Sequence, residues 1–125
     1  MEPRMCETVA SLSDDQVEVA ASYFSVLVRG PNHEDFDADL AAKGAALHKR
    51  HCGACHVLPN DENAAHAIGI PLNGQRAGYI RYALGAYASG ARESLLEAMA
   101  HELRQLEEDD LDALVNYYSS YRSTD

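Results

Sequence analysis

At 125 residues the chain has the length of one compact domain, with 46% hydrophobic residues for a core but only 7% aromatic residues and no Trp. Asp and Glu number 20 against 10 Lys and Arg, a formal net charge of −10; this argues against a nucleic-acid partner, whose phosphates need a basic face, and suits a partner with a basic docking patch. No apolar run reaches the ~18 residues of a membrane span, and Met1 to Ser13 lack the basic start and apolar core of a signal peptide.

Taken in chain order, the first periodic segment is Ser13 to Val28, a helix with the apolar stripe Val17, Ala20, Ala21, Phe24 and Leu27. Asp37 to Arg50 reads as a second helix. Asp35 or Asp37 can cap it, and Lys43, Lys49 and Arg50 lie toward its C-terminal half. Leu40, Gly44, Leu47 and His48 share one face. A glycine in mid-helix costs about 1 kcal/mol against Ala, so Gly44 signals close approach, here by the last helix at Tyr117 or Tyr118. Val57 to Asn73 is irregular, broken by Pro59, Asn60, Gly69 and Pro71. A loop of that length in a small domain is functional or wraps around something. Gln75 to Ser89 is a helix ended by Gly90 as a left-handed cap. A short helix or loop follows from Glu93 to Arg104. Glu107 to Tyr121 is the closing helix, with an acidic first turn and the stripe Leu111, Leu114, Val115 and Tyr118. No run alternates as a strand does, so the fold class is all-α.

Three cysteines cannot build a disulfide framework. Cys6 stands alone, while Cys52 and Cys55 form Cys52-Gly53-Ala54-Cys55-His56. A redox dithiol needs a preceding strand, and Asp37 to Arg50 has no β-branched run. A zinc site would take both thiols and two of His48, His51 and His66. The third reading is covalent haem, whose signature this run is. Two thiols add to the two vinyl groups on one porphyrin edge, and the next residue places its imidazole under the iron. The spacing favours this reading and makes His56 the proximal ligand. Met99 is the candidate sixth ligand, in a segment between helices where a loop can cross the haem face; a core methionine is its ordinary alternative. His101 is the competitor. His48, His51 and His66 are packed or solvated residues.

Residues 5–27 also match residues 99–121 at an offset of 94. Met5 falls on Met99, Leu12 on Leu106, Asp15 on Asp109, Tyr23 on Tyr117 and Ser25 on Ser119. Two similar amphipathic helices would give part of this match. An internal repeat gives all of it: residues 1–30 are then the tail of a preceding haem domain, 31–36 a linker and 37–123 the haem domain. The stripe of the first helix must be covered, by the outside of the haem domain or by a second copy in a homodimer. A chain beginning at Asp35 should then keep its haem.

Gly44, the slot at His48, the Cys52 to His56 run, Pro71-Leu72-Asn73-Gly74-Gln75, Tyr79, Leu84, Tyr87, Gly90, Arg92, Met99, Leu106 and the acidic cap before Tyr117 together resemble a class I cytochrome c. The stretch is similar to the second domain of tandem two-haem cytochromes c and to the cytochrome subunit of flavocytochrome c sulfide dehydrogenase. Two departures are His48, where the family has Tyr or Phe, and Val57, where Gly is common. The resemblance implies a class I cytochrome c fold around one covalent haem c, with an extra N-terminal helix. It implies Cys52, Cys55, His56, Met99, Pro71, Tyr79 and Arg92 as cofactor-binding residues, with His56 and Met99 on the iron. Pro71 would offer its carbonyl to the other nitrogen of His56. Arg92 would pair with a propionate or lie on the surface as an ordinary arginine. The implied function is electron transfer in a sulfur-oxidising or respiratory chain, with a flavoprotein subunit or a terminal oxidase as partner. The implied location is the periplasm, where such haem is attached. The alternative is a haem enzyme or gas sensor with an open iron, peroxidase-like, using His101 as its distal polar group.

Overall fold

The computed structural model describes residues 3–27 and 32–122, and its helices fall into two compact units, Met1–Gly30 and Pro31–Asp125. The described residues hold α-helices, one π turn and one 3-10 turn, with no strand.

The first unit contains α1 (Pro3–Val9) and α2 (Asp14–Ser25). Ser13 caps α2 with a reciprocal box: the Gln16 N–H donates to Ser13 Oγ, and the Ser13 N–H donates to Gln16 Oε1. The helix expected over Ser13 to Val28 is therefore present with Ser13 as its cap, but it ends at Ser25, before Val26 and Leu27; Val28 lies outside the described residues. α1 had no expected counterpart. Proline opens it, as its fixed φ allows at a first helical position.

The second unit opens with α3 (Ala38–Leu47), capped by Asp37, whose carboxylate accepts the Leu40 N–H at 2.9 Å. Its principal packing partner is α6 (Glu108–Ser120). Gly44 is buried at the crossing: a Cβ there would overlap the Ala113 carbonyl oxygen and lie 2.6 Å from Tyr117 Cβ. The close approach expected of Gly44 is thus made, and at Tyr117. Lys43 reaches Asp110 at 2.9 Å across the same pair. The chain does not run as α-helix to Arg50. Residues His48–Cys52 form a π turn closed by the Gly53 N–H on the His48 carbonyl at 2.7 Å.

α4 (Ala77–Ala88) packs on α6 and ends at Gly90, whose φ of +77° is the left-handed conformation its cap requires. α5 (Glu97–Leu103) is shorter than the expected Glu93 to Arg104, because Leu96 is extended at its N-cap. The core is Ile80, Leu114, Val115 and Tyr118, with Leu47, Cys52, Leu72 and Leu84 packed around it.

Residues 31–36, expected as a linker, carry structural duties. Asn32 is 4% exposed and donates to the Gln75 carbonyl at 3.2 Å. Glu34 accepts the Ala77 N–H at 2.9 Å, capping an α4 terminus whose own N-cap residue, Arg76, makes no side-chain cap. That amide bond holds the Glu34 carboxyl below its usual pKa.

The offset of 94 also relates the helices. α1 carried forward by 94 becomes Glu97–Leu103, the bounds of α5, and α2 becomes residues 108–119, one short of α6. Ser13 and Gln16 fall on Glu107 and Asp110, which form the capping box of α6. The burial differs. Tyr118 is 1% exposed while Phe24, at the matching place, is 66% exposed.

Candidate functional site

The Cys52 to His56 run follows directly from the π turn. The Cys55 and His56 N–H groups both donate to the Cys52 carbonyl, at 3.1 and 2.9 Å, which curls the run into a tight turn. Both thiols are free and half-buried. Cys52 sits at the edge of the core, where burial pushes its thiol pKa up. The Tyr118 hydroxyl lies between this thiol and His48 Nδ1, the latter at 2.9 Å.

His56 is clamped by the segment that follows the irregular loop. Its Nδ1–H donates to the Ile70 carbonyl at 2.7 Å, and the Gly69 N–H donates to the Cys55 carbonyl at 3.1 Å. A Cβ on Gly69 would lie 2.5 Å from both Cε1 and Nδ1 of the imidazole, so only glycine lets the backbone come this close to that ring. The carbonyl partner is Ile70, not Pro71. Proline restricts the residue before it to extended conformations, and that residue is Ile70, whose carbonyl meets His56. In the sequence Gly69 stands out only as a breaker of the loop, and Ile70 not at all; the one signal for the clamp is that glycine inside an apolar, proline-bounded stretch.

The remaining histidines are engaged or exposed. His48 is buried against Tyr117 and Tyr118, and burial, followed by the charge of His56, lowers its pKa. His51 Nδ1 meets Glu102 Oε2 at 2.6 Å. His66, in the 3-10 turn Ala64–His66, is exposed, as is His101. Among the described residues no three or more His, Cys, Asp or Glu come together to hold a metal ion. The zinc reading therefore lacks its ligand set: His48 is tied to Tyr118, His51 to Glu102, and His66 stands on a separate turn.

Met99 is half-buried inside α5, so of the short helix or loop expected over Glu93 to Arg104 the helix is what carries it. The local sequence Glu97-Ala98-Met99-Ala100 consists of strong helix formers, which explains the helix. α5 packs against the π turn that ends at Cys52 and against α4. Tyr79 and Arg92 come together on the surface. The guanidinium hydrogen-bonds Tyr79, which raises its pKa, and lies 4.8 Å from the Tyr87 ring centroid. Met5, on α1, is exposed.

The donor set fits covalent haem. Two free thiols stand with two residues between them, next to an imidazole whose Nδ1 is held by a carbonyl and whose Nε2 makes no hydrogen bond among the described residues. Ile68, Ile70, Leu95 and Leu96 expose apolar side chains in the segments on either side, as a fold does where an apolar surface is to be covered.

These features define a class of site, an imidazole and paired thiols presented on one turn of an all-α unit, consistent with a haem c site. No protein-family model matches the sequence. The chain is 28% identical over 131 residues to the thiosulfate dehydrogenase electron acceptor of Stutzerimonas stutzeri (strain A1501), covering 94% of this chain. It spans 58% of the length of that relative. No helix among the described residues is long and apolar enough to cross a membrane.

Proposed function

We propose that this protein is a c-type cytochrome that carries single electrons, with one haem c bound to Cys52 and Cys55. The observation that carries the reading is the clamp on His56: the Ile70 carbonyl fixes Nδ1, the Gly69 backbone lies close beside the ring, and Nε2 is left to ligate iron. Bound there, haem supplies a one-electron redox change at iron. The chain's residues hold the group and set its surroundings. His56 and Met99 would hold the iron, and a thioether among its ligands would favour the reduced form. With those two residues on the iron, the group would exchange single electrons with a partner and leave no open site for small-molecule chemistry. Tyr79 and Arg92 form a polar rim, and Pro71 acts through Ile70.

The acidic surface steers a basic partner into contact, faster at low salt. Likeness to an electron acceptor of thiosulfate dehydrogenase supports a donor enzyme that oxidises reduced sulfur; the family resemblance adds a flavoprotein or terminal oxidase as partner. The compartment is the periplasm. Residues 1–30 are the closing helices of a second haem domain, on the match of helix bounds and capping boxes at the offset of 94.

The test is the protein matured in a host that attaches haem. Acidified solvent should leave the haem on the polypeptide, and the mass should carry one adduct. The ferric form should show the weak far-red sulfur-to-iron band, and the ferrous form should not bind carbon monoxide. Met99→Ala should remove the band, lower the potential and admit carbon monoxide; Met5→Ala should do none of these. Extractable haem sinks the central reading. Carbon monoxide binding by the unsubstituted protein favours the open-iron enzyme or gas sensor instead.

A further inference from the structure

We infer that the His51–Glu102 pair is a clasp that seats α5, and with it Met99, against the haem-attachment turn. Both are positioning residues for the sixth ligand, and this rests on the assignment of Met99 given above.

α5 has seven residues, too few to be stable alone, and none of them is fully buried. Its other side-chain bonds stay local. Arg104 pairs with Glu97, and Gln105 donates to the His101 carbonyl and to Glu102. Among the described residues, His51–Glu102 is the side-chain hydrogen bond that ties α5 to another element. It is short, 2.6 Å, and its histidine side chain is only 10% exposed, so solvent screens it less than a surface ion pair.

The placement is specific. His51 immediately precedes Cys52 inside the π turn. Glu102 follows Met99 by three residues, so the two share a face of the helix. Drawing Glu102 onto His51 therefore turns the Met99 face toward the segment that carries the thiols. Without the clasp, α5 keeps only its partly buried apolar contacts, and its seating becomes an equilibrium between docked and open.

The experiment uses the full haem-loaded chain with Glu102→Ala, Glu102→Gln and, as a control, Arg104→Ala, which breaks only the ion pair internal to α5. Two measurements are made: the far-red band with carbon monoxide binding, and hydrogen exchange of α5 amides such as Ala100 against those of α6. Glu102→Ala should speed α5 exchange by at least about tenfold, the effect of losing a charge-assisted hydrogen bond on local opening, and leave α6 unchanged. The band should weaken and carbon monoxide should bind. Glu102→Gln, which can still hydrogen-bond His51, should recover part of the band, and Arg104→Ala should alter neither readout. Unchanged α5 exchange in Glu102→Ala overturns the clasp, and so does faster exchange with a full band. If the unsubstituted protein has no band but Glu102→Ala still speeds α5 exchange, the ligand assignment fails and the seating of α5 by the clasp stands.

Discussion

At the scale of single residues, the site is built by groups that hold other groups. His56 gains its orientation from a backbone carbonyl and a missing Cβ, both 13 to 14 residues downstream. Gly69→Ala should therefore act at the imidazole. The new methyl group meets a ring already fixed by a hydrogen bond, so the backbone must move away, at a cost of about 1–3 kcal/mol. A denaturant melt should show that loss, together with a changed Soret band; an unaltered melt would mean the loop shifts freely. The Cys52 to His56 run was legible because its chemistry fixes its spacing. The clamp was not, because a hydrogen bond between residues 14 apart leaves no periodic trace. Pro71 drew attention to the right place but one position late, since proline is visible in sequence and its conformational effect falls on its neighbour.

At the scale of elements, the α3–α6 crossing organises the second unit. Its signal was a single glycine whose cost in a helix demanded a reason. Ala is ordinarily favoured over Gly in a helix by about 1 kcal/mol. At Gly44 the sign should reverse, because the first carbon added overlaps a backbone oxygen of Ala113, which no rotamer change can relieve. Gly44→Val should be worse, near the upper end of the roughly 1–3 kcal/mol typical of overpacking. Urea unfolding of both variants checks this, and a stabilised Gly44→Ala would show that the helices separate without cost. Other features of the elements were hidden. The π turn preserves the composition of the helix it ends, so the expected helix ran on to Arg50. α1 is short and carries no stripe long enough to read. The segment around Met99 stays open between a short helix and a loop in the sequence, because seven helical residues are too few to show a clear period.

At the scale of the whole molecule, the sequence repeat and the helix bounds agree, but the boundary between segments needed the structure. Asn32 and Glu34 sit in a stretch whose composition reads as a spacer. Their roles depend on Gln75, Ala77 and Arg122, far along the chain. This changes what truncation should do. A chain beginning at residue 31 should keep its haem and its far-red band. A chain beginning at Asp35 loses the Asn32 bonds, the Glu34 cap on α4, and the Glu34 carbonyl that accepts from Arg122 at 2.7 Å. It should be less stable at pH 7 by roughly 1–3 kcal/mol, the range for a lost helix cap and its companion hydrogen bonds. The gap should depend on pH with a defined sign. The Ala77 amide holds the Glu34 carboxyl below its ordinary 4.5, so its contribution is complete above that value and disappears as pH falls through the lowered one. Thermal melts of the two shortened chains at pH 7 and again near pH 3 should show the gap narrowing in acid. Equal melting at pH 7 would return residues 31–36 to the role of a plain linker.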